Sequence, residues 1–294
     1  MKALITGGAG FVGSYLAEHL RAIGIEVTIF DIYQNEYYFD FRPKDFNLVN
    51  GDILDNLLLK EAAKGCDVIF HLAGLLGTDY LVYLPEQAVR VNIHGTINVL
   101  NVARDNNATV IYLSLLPQWN NSYMITKNAA EQFCSMYNQE LGVKTIVVKA
   151  THIYGGRQKW HPVGKAVPNF IITAIEGKPL AIYGSGSQLM DLIHAKDAAL
   201  ALANCIDNQP IIGKSIELGT GDGISVANVA RKIISLCSSN SVLKFTDMRA
   251  GEPHHAGAFT PANTGQMKSL LNFTPKIDLD KGLSDTIEWY RAHV

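Results

Sequence analysis

A tyrosine and a lysine four residues apart form the pair best suited to acid–base chemistry in this chain. Tyr123 and Lys127 stand in the segment SYMITK. On a helix such residues share a face, which places the ammonium beside the phenol. A free phenol titrates near ~10, and an ammonium ~6 Å away at an effective dielectric of ~20 supplies about 2.8 kcal/mol toward lowering that pKa. The pair predicts a tyrosine base, and an amphipathic surface pair is the alternative.

A single hydroxyl stands nine residues before this tyrosine. Ser114 follows a short apolar run at residues 110 to 113, which reads as a strand, and Leu115 and Leu116 follow it. Because Ser114 is the only hydroxyl left at that strand end, it is the candidate for orienting a substrate group.

Three glycines near the start of the chain form the strongest motif. Gly7, Gly10 and Gly13 lie in TGGAGFVG, between a strand predicted at residues 2 to 5 and a helix predicted at residues 14 to 23. The first allows a tight turn, the second a close pyrophosphate, and the third close helix–sheet packing. Phe11 and Val12 stand in the same turn, where helix N–H groups favour negative charge. A dinucleotide site is predicted, and a glycine turn without a ligand is the alternative.

An acidic residue ends the second predicted strand, at residues 25 to 30. Asp31 lies at the distance from the glycine turn at which a carboxylate accepts both hydroxyls of an adenosine ribose. It would repel a 2′-phosphate, and the residues that follow Ile32 in sequence offer no Arg or Lys to offset that repulsion. The pattern predicts NAD rather than NADP, with a solvated aspartate as the alternative.

Further cofactor contacts are expected after the next two strands. Asp52 is placed to meet the adenine amino group, with Ile53 beside the ring. Small residues after the strand at 67 to 70 permit close approach of a dinucleotide. His71 at that point is interpreted as a hydrogen-bonded structural histidine rather than a catalyst. The residues expected to line the cofactor there are Leu72, Ala73 and Gly74.

Composition limits the class of protein. The 294 residues are 48% hydrophobic with a formal net charge of −2. This favours a soluble globular protein over one that binds nucleic acid or a membrane surface through charge. No apolar run reaches the roughly 18 residues of a spanning helix, and a strand at the very start leaves no signal peptide. The four cysteines have no metal or redox spacing, so reduced thiols in a cytoplasmic protein and no metal are expected.

Strands alternate with helices predicted at residues 55 to 64, 85 to 105 and 123 to 141. This order predicts an α/β fold, a Rossmann-type doubly wound parallel sheet with a smaller C-terminal substrate-binding lobe. The expected NAD-binding domain is 1–154 plus about 185–210. The expected smaller, substrate-binding lobe is 155–184 and 211–294.

The whole set of motifs resembles the extended short-chain dehydrogenase/reductases, specifically the NAD-dependent epimerase/dehydratase family, and is most like the UDP-glucose 4-epimerases. The motifs that carry the resemblance run over nearly the whole chain. They are TGGAGFVG, Asp31, Asp52-Ile53, HLAGL at 71 to 75, Asn92, the Tyr123/Lys127 pair, HIYGGRQ at 152 to 158, VPNF at 167 to 170, LAIYGSGSQ at 180 to 188, DLIHAKDAA at 191 to 199 and RAGEP at 249 to 253.

The resemblance implies a role for each matching residue. Tyr123 is the acid/base, while Lys127 lowers its pKa and holds the nicotinamide ribose. Asn92 is one of the expected cofactor-binding residues. Arg249 clamps the diphosphate, for which a planar guanidinium is well suited. The other expected substrate-binding residues are His152, Asn169, Leu180, Ile182 and Tyr183, the last stacking on the base.

The substrate half departs from the family pattern. Leu115 occupies the position of the usual catalytic hydroxyl, His152 replaces an asparagine, and Met190 replaces an arginine that contacts phosphate. A charged hydrogen bond to phosphate is worth ~1.5–3 kcal/mol, roughly 10- to 100-fold in affinity. The candidates to replace that arginine are Lys149, Arg157, Lys159 and Lys165.

The resemblance implies a homodimeric, NAD-dependent epimerase that acts on a nucleotide sugar, expected to be UDP-linked, and transiently oxidises sugar C4. A nucleotide-sugar dehydratase or decarboxylase on the same fold is one alternative. A catalytically weak NAD(H)-binding protein is the other, favoured by Leu115 and Met190 and disfavoured by the Tyr123/Lys127 pair. No acidic residue adjoins Ser114 in sequence as in dehydratases, which favours the epimerase.

Overall fold

The computed structural model describes residues 1–32, 40–116, 120–161, 163–252 and 259–294. The strands are β1 (Lys2–Thr6), β2 (Glu26–Asp31), β3 (Asn47–Asn50), β4 (Val68–His71), β5 (Thr109–Leu115), β6 (Thr145–Ala150), β7 (His152–Tyr154), β8 (Leu180–Tyr183), β9 (Leu189–Met190), β10 (Leu192–His194), β11 (Ser215–Leu218), β12 (Ile224–Ser225) and β13 (Leu243–Thr246). The helices are α1 (Phe11–Ala22), α2 (Asn56–Ala62), α3 (Pro85–Ala88), α4 (Gly95–Asn106), α5 (Ser122–Leu141), α6 (Ala166–Ile175), α7 (Ala195–Ala203), α8 (Val226–Leu236), α9 (Gly265–Leu271) and α10 (Leu279–His293).

Seven of these strands form one sheet in the order β3-β2-β1-β4-β5-β6-β11, and every neighbouring pair is parallel. The strand order reverses at β1, which pairs with β2 on one side and β4 on the other. In an open parallel sheet, a ligand crevice forms outside the carboxyl ends of the strands at such a reversal. The predicted Rossmann-type sheet is confirmed, and the glycine turn lies at this point.

Both faces of the sheet are covered because side chains alternate along each strand. In β1, Ala3 and Ile5 pack in the cluster that contains α1 and α7, while Leu4 packs in the cluster that contains α2, α4 and α5. All three side chains are fully buried. The near-continuous apolar sequence of β1 therefore reflects burial on two sides.

The turn from β1 to α1 accepts only glycine at two positions. Gly7 has a positive φ of 72°, and a Cβ there would lie 2.7 Å from the backbone nitrogen of Ala73, at the end of β4. A Cβ at Gly13 would lie 2.7 Å from the Cα of Gly8. These contacts hold the turn against the neighbouring strand and against its own helix.

The helix predicted at 85 to 105 contains a wider turn. A π-helical stretch, Val89–His94, joins α3 to α4. Single π turns inside helices occur frequently at functional sites. Here the π-helical stretch contains Asn92.

The smaller lobe is built on short strand pairs and three helices. β8 pairs with β13, β9 with β12 and β7 with β10. Its core joins side chains of α6, α8 and α10. The bounds expected from sequence put residues 211–294 wholly in this lobe, whereas β11 pairs with β6 in the large sheet. β11 thereby covers the edge of β6 and fully buries Ile216 and Leu218.

In the part of the chain that the structure describes, no helix is long and apolar enough to cross a bilayer. The four cysteines are free thiols, and all are buried.

Gly282 of α10 makes a contact whose removal can be tested. A Cβ there would overlap the hydroxyl of the buried Tyr154 and lie 2.9 Å from its Cζ. Gly282→Ala gains about 0.5–1 kcal/mol of helix propensity but overpacks the lobe, which typically costs 1–3 kcal/mol. We expect a net loss of about 1 kcal/mol in the free energy of unfolding, measured by urea denaturation.

The matched control removes the overlapping atom. Tyr154→Phe should restore part of the stability of Gly282→Ala, because the hydroxyl is the nearest atom to the new methyl. Equal stability of Gly282→Ala and wild type would contradict the packing described here.

Candidate active site

A continuous cavity of about 880 Å³ lies between the large sheet and the smaller lobe. It opens at the carboxyl ends of the strands where the order reverses, as expected for a ligand site in this architecture. The predicted cofactor residues that line it are Gly7, Gly10, Phe11, Val12, Gly13, Asp31, Ile32, Asp52, Ile53, Leu72, Ala73 and Gly74. The predicted catalytic and substrate residues that line it are Ser114, Tyr123, Lys127, His152, Asn169, Tyr183 and Arg249.

The glycine turn fits a pyrophosphate. A Cβ at Gly10 would meet only the carbonyl of Gly7 within 4 Å, so this backbone is open on its outer side. Gly10 is also the cap of α1, and no side chain caps that helix. The first N–H groups of α1 therefore point into a glycine-walled space suited to a phosphate group.

Asp31 stands at the end of β2 with one oxygen already engaged. Its Oδ2 accepts the N–H of Ala9 at 2.9 Å. Burial raises the pKa of this carboxyl, while the Ala9 hydrogen bond and the nearby Lys159 ammonium oppose that rise. The remaining oxygen is the one available to a ribose hydroxyl.

Asn92 is buried and supports the cofactor loop without lining the cavity. Its Oδ1 accepts the N–H of Leu75 at 2.7 Å, and its Nδ2 donates to the carbonyl of Leu75 and to Thr126 Oγ1. The amide thus ties the segment after β4 to α5. The structure gives Asn92 a positioning role where the resemblance implied a cofactor contact.

Tyr123 and Lys127 lie on one face of α5, as their spacing predicts. Asn121 begins the helix by accepting the N–H of Met124 at 2.9 Å. Lys127 Nζ donates to the carbonyl of Leu113 at 2.7 Å and lies 4.0 Å from the ring centroid of Tyr112. The lysine is therefore anchored to β5 over the ring of Tyr112, one helical turn after Tyr123.

Burial dominates the electrostatics of this pair. It raises the pKa of Tyr123 to about 12 and lowers the pKa of Lys127 to about 7. Protein groups alone favour the neutral tyrosine, so the lowered Tyr123 pKa expected from Lys127 together with an oxidised nicotinamide ring is not produced by the protein groups by themselves. Near neutrality the lysine is only partly charged, which weakens its effect on the phenol. A base here needs further positive charge at the nicotinamide position.

Ser114 is the end of a buried chain of three polar groups. Its Oγ donates to Glu131 Oε1 at 2.5 Å, and Glu131 Oε2 pairs with Lys149 Nζ at 2.7 Å. An acidic residue therefore does adjoin Ser114, but it comes from α5, is ion-paired, and does not line the cavity. Sequence reasoning missed Glu131, although its place four residues after Lys127 puts it on the same helix face.

The far end of the cavity brings Tyr183 and Arg249 together. The guanidinium carbon lies 4.5 Å from the centroid of the tyrosine ring, and Arg249 also pairs with Glu252. Leu180 and Ile182 are fully buried in the core of the smaller lobe, which corrects their predicted substrate role. Strand alternation is the reason: in β8 the cavity-facing residues are Ala181 and Tyr183.

The structure distinguishes among the four cationic side chains expected to replace the arginine whose position Met190 occupies. Lys149 is held by Glu131, Arg157 by Glu18 and Asp40, and Lys159 lies near Asp31 at the cofactor end. Lys165 lines the cavity near Arg249, and both that guanidinium and burial lower its pKa. Lys165 is therefore the cation placed beside Arg249.

Two other contacts shape the substrate end. His152 stacks edge-on against Phe259 at 5.0 Å, and burial lowers the pKa of this histidine to about 4. Asn121 Nδ2 donates to the carbonyl of Gly251 at 2.9 Å, tying the start of α5 to the Arg249 segment. Phe259 was not foreseen from the sequence because nothing local marks it.

Two histidines outside this cavity have structural roles. His71 is buried between the hydroxyls of Thr6 and Thr96, at 2.7 and 2.9 Å, which confirms the structural interpretation. His194 accepts the N–H of Lys196 and caps α7. His254 and His255 lie outside the described residues. Among those described, no group of His, Cys, Asp or Glu could hold a metal ion.

Comparison with known proteins agrees with this geometry. The sequence profile of the NAD dependent epimerase/dehydratase family matches residues 3–219. The chain belongs to this family.

Two solved structures and one curated relative are close over nearly the full length. A UDP-N-acetyl-alpha-D-glucosaminuronate decarboxylase of Bacillus cytotoxicus is 29% identical over 99% of this chain and 98% of its own. An epimerase of Methanothermobacter thermautotrophicus superimposes with a TM-score of 0.91 at 25% identity, covering 99% of this chain and 92% of that one. The protein MoeE5 in complex with UDP-glucuronic acid and NAD gives 0.89 at 25% identity, with both chains fully covered.

Membership of this family makes the chain an NAD-dependent enzyme, and its own residues fit the cofactor. The open glycine turn would hold the pyrophosphate, and the carboxylate of Asp31 would offer an oxygen to the ribose. When bound, NAD supplies a hydride acceptor at the nicotinamide ring.

The low pKa of Lys127 predicts a pH-dependent stability. An unfolded lysine titrates at its ordinary value of 10.5 and the native one at about 7, so the unfolded chain binds more protons between these values. Its contribution to the free energy of unfolding therefore rises with pH across this window. We expect Lys127→Met to flatten the rise between pH 7 and 9.5, measured by urea denaturation after charcoal removal of nucleotide.

Lys60→Met is the control for losing one positive charge, since Lys60 forms an exposed pair with Asp105. A slope in Lys127→Met as steep as in wild type would contradict a buried, easily deprotonated lysine.

Proposed function

We propose that the protein is a nucleotide-sugar 4-epimerase that oxidises and re-reduces sugar C4 with retained NAD. The observation that carries this proposal is the position of Tyr123 and Lys127. They line one cavity between a glycine turn suited to a dinucleotide and a Tyr183/Arg249 end suited to a nucleoside diphosphate. The sugar of a ligand spanning the two ends would lie at the tyrosine.

Proton transfer is the task of Tyr123. The phenolate takes the O4 proton as the C4 hydride leaves the sugar, and it returns the proton after the keto sugar has turned over. Lys127 is anchored to the Leu113 carbonyl, and its place four residues after Tyr123 puts it on the same face of α5. The positive nicotinamide supplies the additional charge that favours the phenolate.

Arg249 and Lys165 are the proposed anchors of the diphosphate. The guanidinium offers a planar fork to phosphate oxygens, and the ammonium supplies a second charge at the same end of the cavity. Tyr183 presents an aromatic face there for a nucleobase. A UDP-linked sugar is the proposed substrate, by analogy with MoeE5.

Ser114 remains the candidate for orienting the sugar hydroxyl. Its proton is directed to Glu131, so toward a substrate it can act only through its remaining lone pairs. Loss of catalysis in Ser114→Ala with an intact fold would support this role.

Decarboxylation of a nucleotide-linked uronic acid is the second candidate. It shares the C4 oxidation, after which the 4-keto acid loses CO₂ instead of turning over. The 29%-identical Bacillus cytotoxicus relative carries the name of such an enzyme. The epimerase is preferred because Glu131, the acid beside Ser114, is held by Lys149 outside the cavity.

A panel of nucleotide sugars and nucleotide uronic acids in deuterium oxide separates the candidates. Inversion at C4 without deuterium uptake supports the epimerase. Loss of CO₂ with deuterium at the adjacent carbon supports the decarboxylase, and deuterium uptake without CO₂ loss supports a dehydratase. Binding of NAD with no turnover of any member would favour a non-catalytic NAD-binding protein.

Tyr123→Phe tests the assignment of the base. It should lower kcat by at least about 100-fold, within the range for a positioned acid–base group, and leave NAD bound. Tyr137→Phe is the matched control, because that phenol lies on the same helix but hydrogen-bonds Asn101 away from the cavity. Turnover of Tyr123→Phe at the wild-type rate would falsify the proposed active site.

A homodimer is part of the proposal. The helices after Pro85 and Tyr123 expose Val89, Ile125 and Met136, which supports pairing of these helices between two copies. Light scattering at micromolar concentration should give twice the chain mass. A monomer there would contradict the dimer without affecting the chemistry.

A further inference from the structure

Residues 155 to 160, which we call the strap, cross over the start of α1. A Cβ at Gly155 would lie 3.6 Å from the ring of Phe11, and the Tyr15 hydroxyl donates to the carbonyl of Gly156 at 3.2 Å. The strap comes directly after β7, in the part of the chain that leads into the smaller lobe. It therefore brings residues from the second half of the sequence onto the cofactor turn.

Arg157 fixes the strap in place. Its guanidinium donates to both carboxylate oxygens of Glu18 on α1, at 2.9 and 3.1 Å, and to both of Asp40, at 2.7 and 3.2 Å. Trp289 of α10 donates to the same Asp40 carboxylate at 3.1 Å. Arg157 has a φ of 66°, a left-handed conformation that is uncommon for a non-glycine residue and persists where the surroundings over-determine it.

Two residues further on, Lys159 lies near Asp31. Both side chains line the main cavity, and Lys159 also lines a small recess with Ala9, Gly10 and Phe11. The carboxylate and the ammonium each act on the other's protonation, in opposite directions. The inference from sequence that nothing basic offsets Asp31 holds only for its neighbours along the chain.

We propose that Lys159 is a second determinant of cofactor selectivity, which contacts the 2′ position of the adenosine ribose opposite Asp31. Its ammonium reduces the repulsion between Asp31 and a 2′-phosphate and offers that phosphate a charged partner. NAD remains the preferred nucleotide because Asp31 still accepts the ribose hydroxyls. The preference for NAD over NADP is therefore smaller than it would be if no cation lay near Asp31.

Other contacts hold the strap and Asp31 in place. Arg157 holds the strap on α1 through two carboxylates. Asp31 is likewise positioned by β2 and by the Ala9 hydrogen bond. The pair stands where the two groups meet a ligand on the cavity wall.

The test compares dissociation constants for NAD and NADP, measured by tryptophan fluorescence after charcoal removal of nucleotide. Wild type, Lys159→Gln, Asp31→Ala and the double variant form a cycle. Lys159→Gln should weaken NADP about 10-fold, the low end for a charged hydrogen bond, and change NAD by less than about 3-fold. Asp31→Ala should weaken NAD and narrow the gap to NADP, and the added Lys159→Gln should reopen that gap.

Controls separate charge, folding and position. Lys159→Arg keeps the charge and should retain the wild-type ratio of the two constants, and Lys60→Gln removes an exposed charge far from Asp31 and should also retain it. The Lys159 effect should shrink at high salt, because a partly exposed charge pair is screened. Circular dichroism checks that each variant folds.

Two results would overturn the proposal. One is a ratio of NADP to NAD constants in Lys159→Gln within twofold of wild type. The other is an equal loss of both nucleotides, which would make Lys159 a positioning residue of Asp31 or of the strap. Neither result depends on which sugar the enzyme uses, so the proposal can fail while the proposed epimerase activity stands.

Discussion

The close approach of the β1–α1 turn to the end of β4 is the contact on which the site depends. Gly7 has no room for a side chain, because the backbone of Ala73 occupies that space. This approach occurs where the strand order reverses, so the ligand crevice forms directly beside it. The glycine turn, Asp31 and the segment after β4 are positioned by the strands that meet there.

Helix α5 positions the reacting groups relative to the end of β5. Its spacing of four places Tyr123, Lys127 and Glu131 on one face, directed at the end of β5. Lys127 bonds the Leu113 carbonyl and Glu131 bonds the Ser114 hydroxyl, so two successive residues of β5 are held by two successive turns of the helix. The cost is a buried lysine and a buried carboxylate, which Lys149 offsets by pairing with Glu131.

The two parts of the molecule share the cavity because short connections cross between them. Asn121 ties the start of α5 to the backbone of Gly251, beside the Arg249 segment. Arg157 ties the chain after β7 to α1. A ligand that spans the cavity therefore contacts groups held by both the sheet and the smaller lobe, which is how a tyrosine on α5 and an arginine near β13 come to face one substrate.

The sequence by itself determined the local features: the glycine turn after a buried strand, Asp31 at a strand end, the alternation that implies a parallel sheet, and the shared face of Tyr123 and Lys127. These follow from spacing and helix or strand period. Only the tertiary structure decided that β11 joins the large sheet, that Ala181 rather than Leu180 or Ile182 faces the cavity, and that Lys159 lies near Asp31. Burial also raises the pKa of Tyr123, which the spacing of Tyr123 and Lys127 does not reveal. The phase of a short strand, the desolvation of a side chain and the meeting of distant residues all depend on what packs against them, which spacing along one chain does not encode.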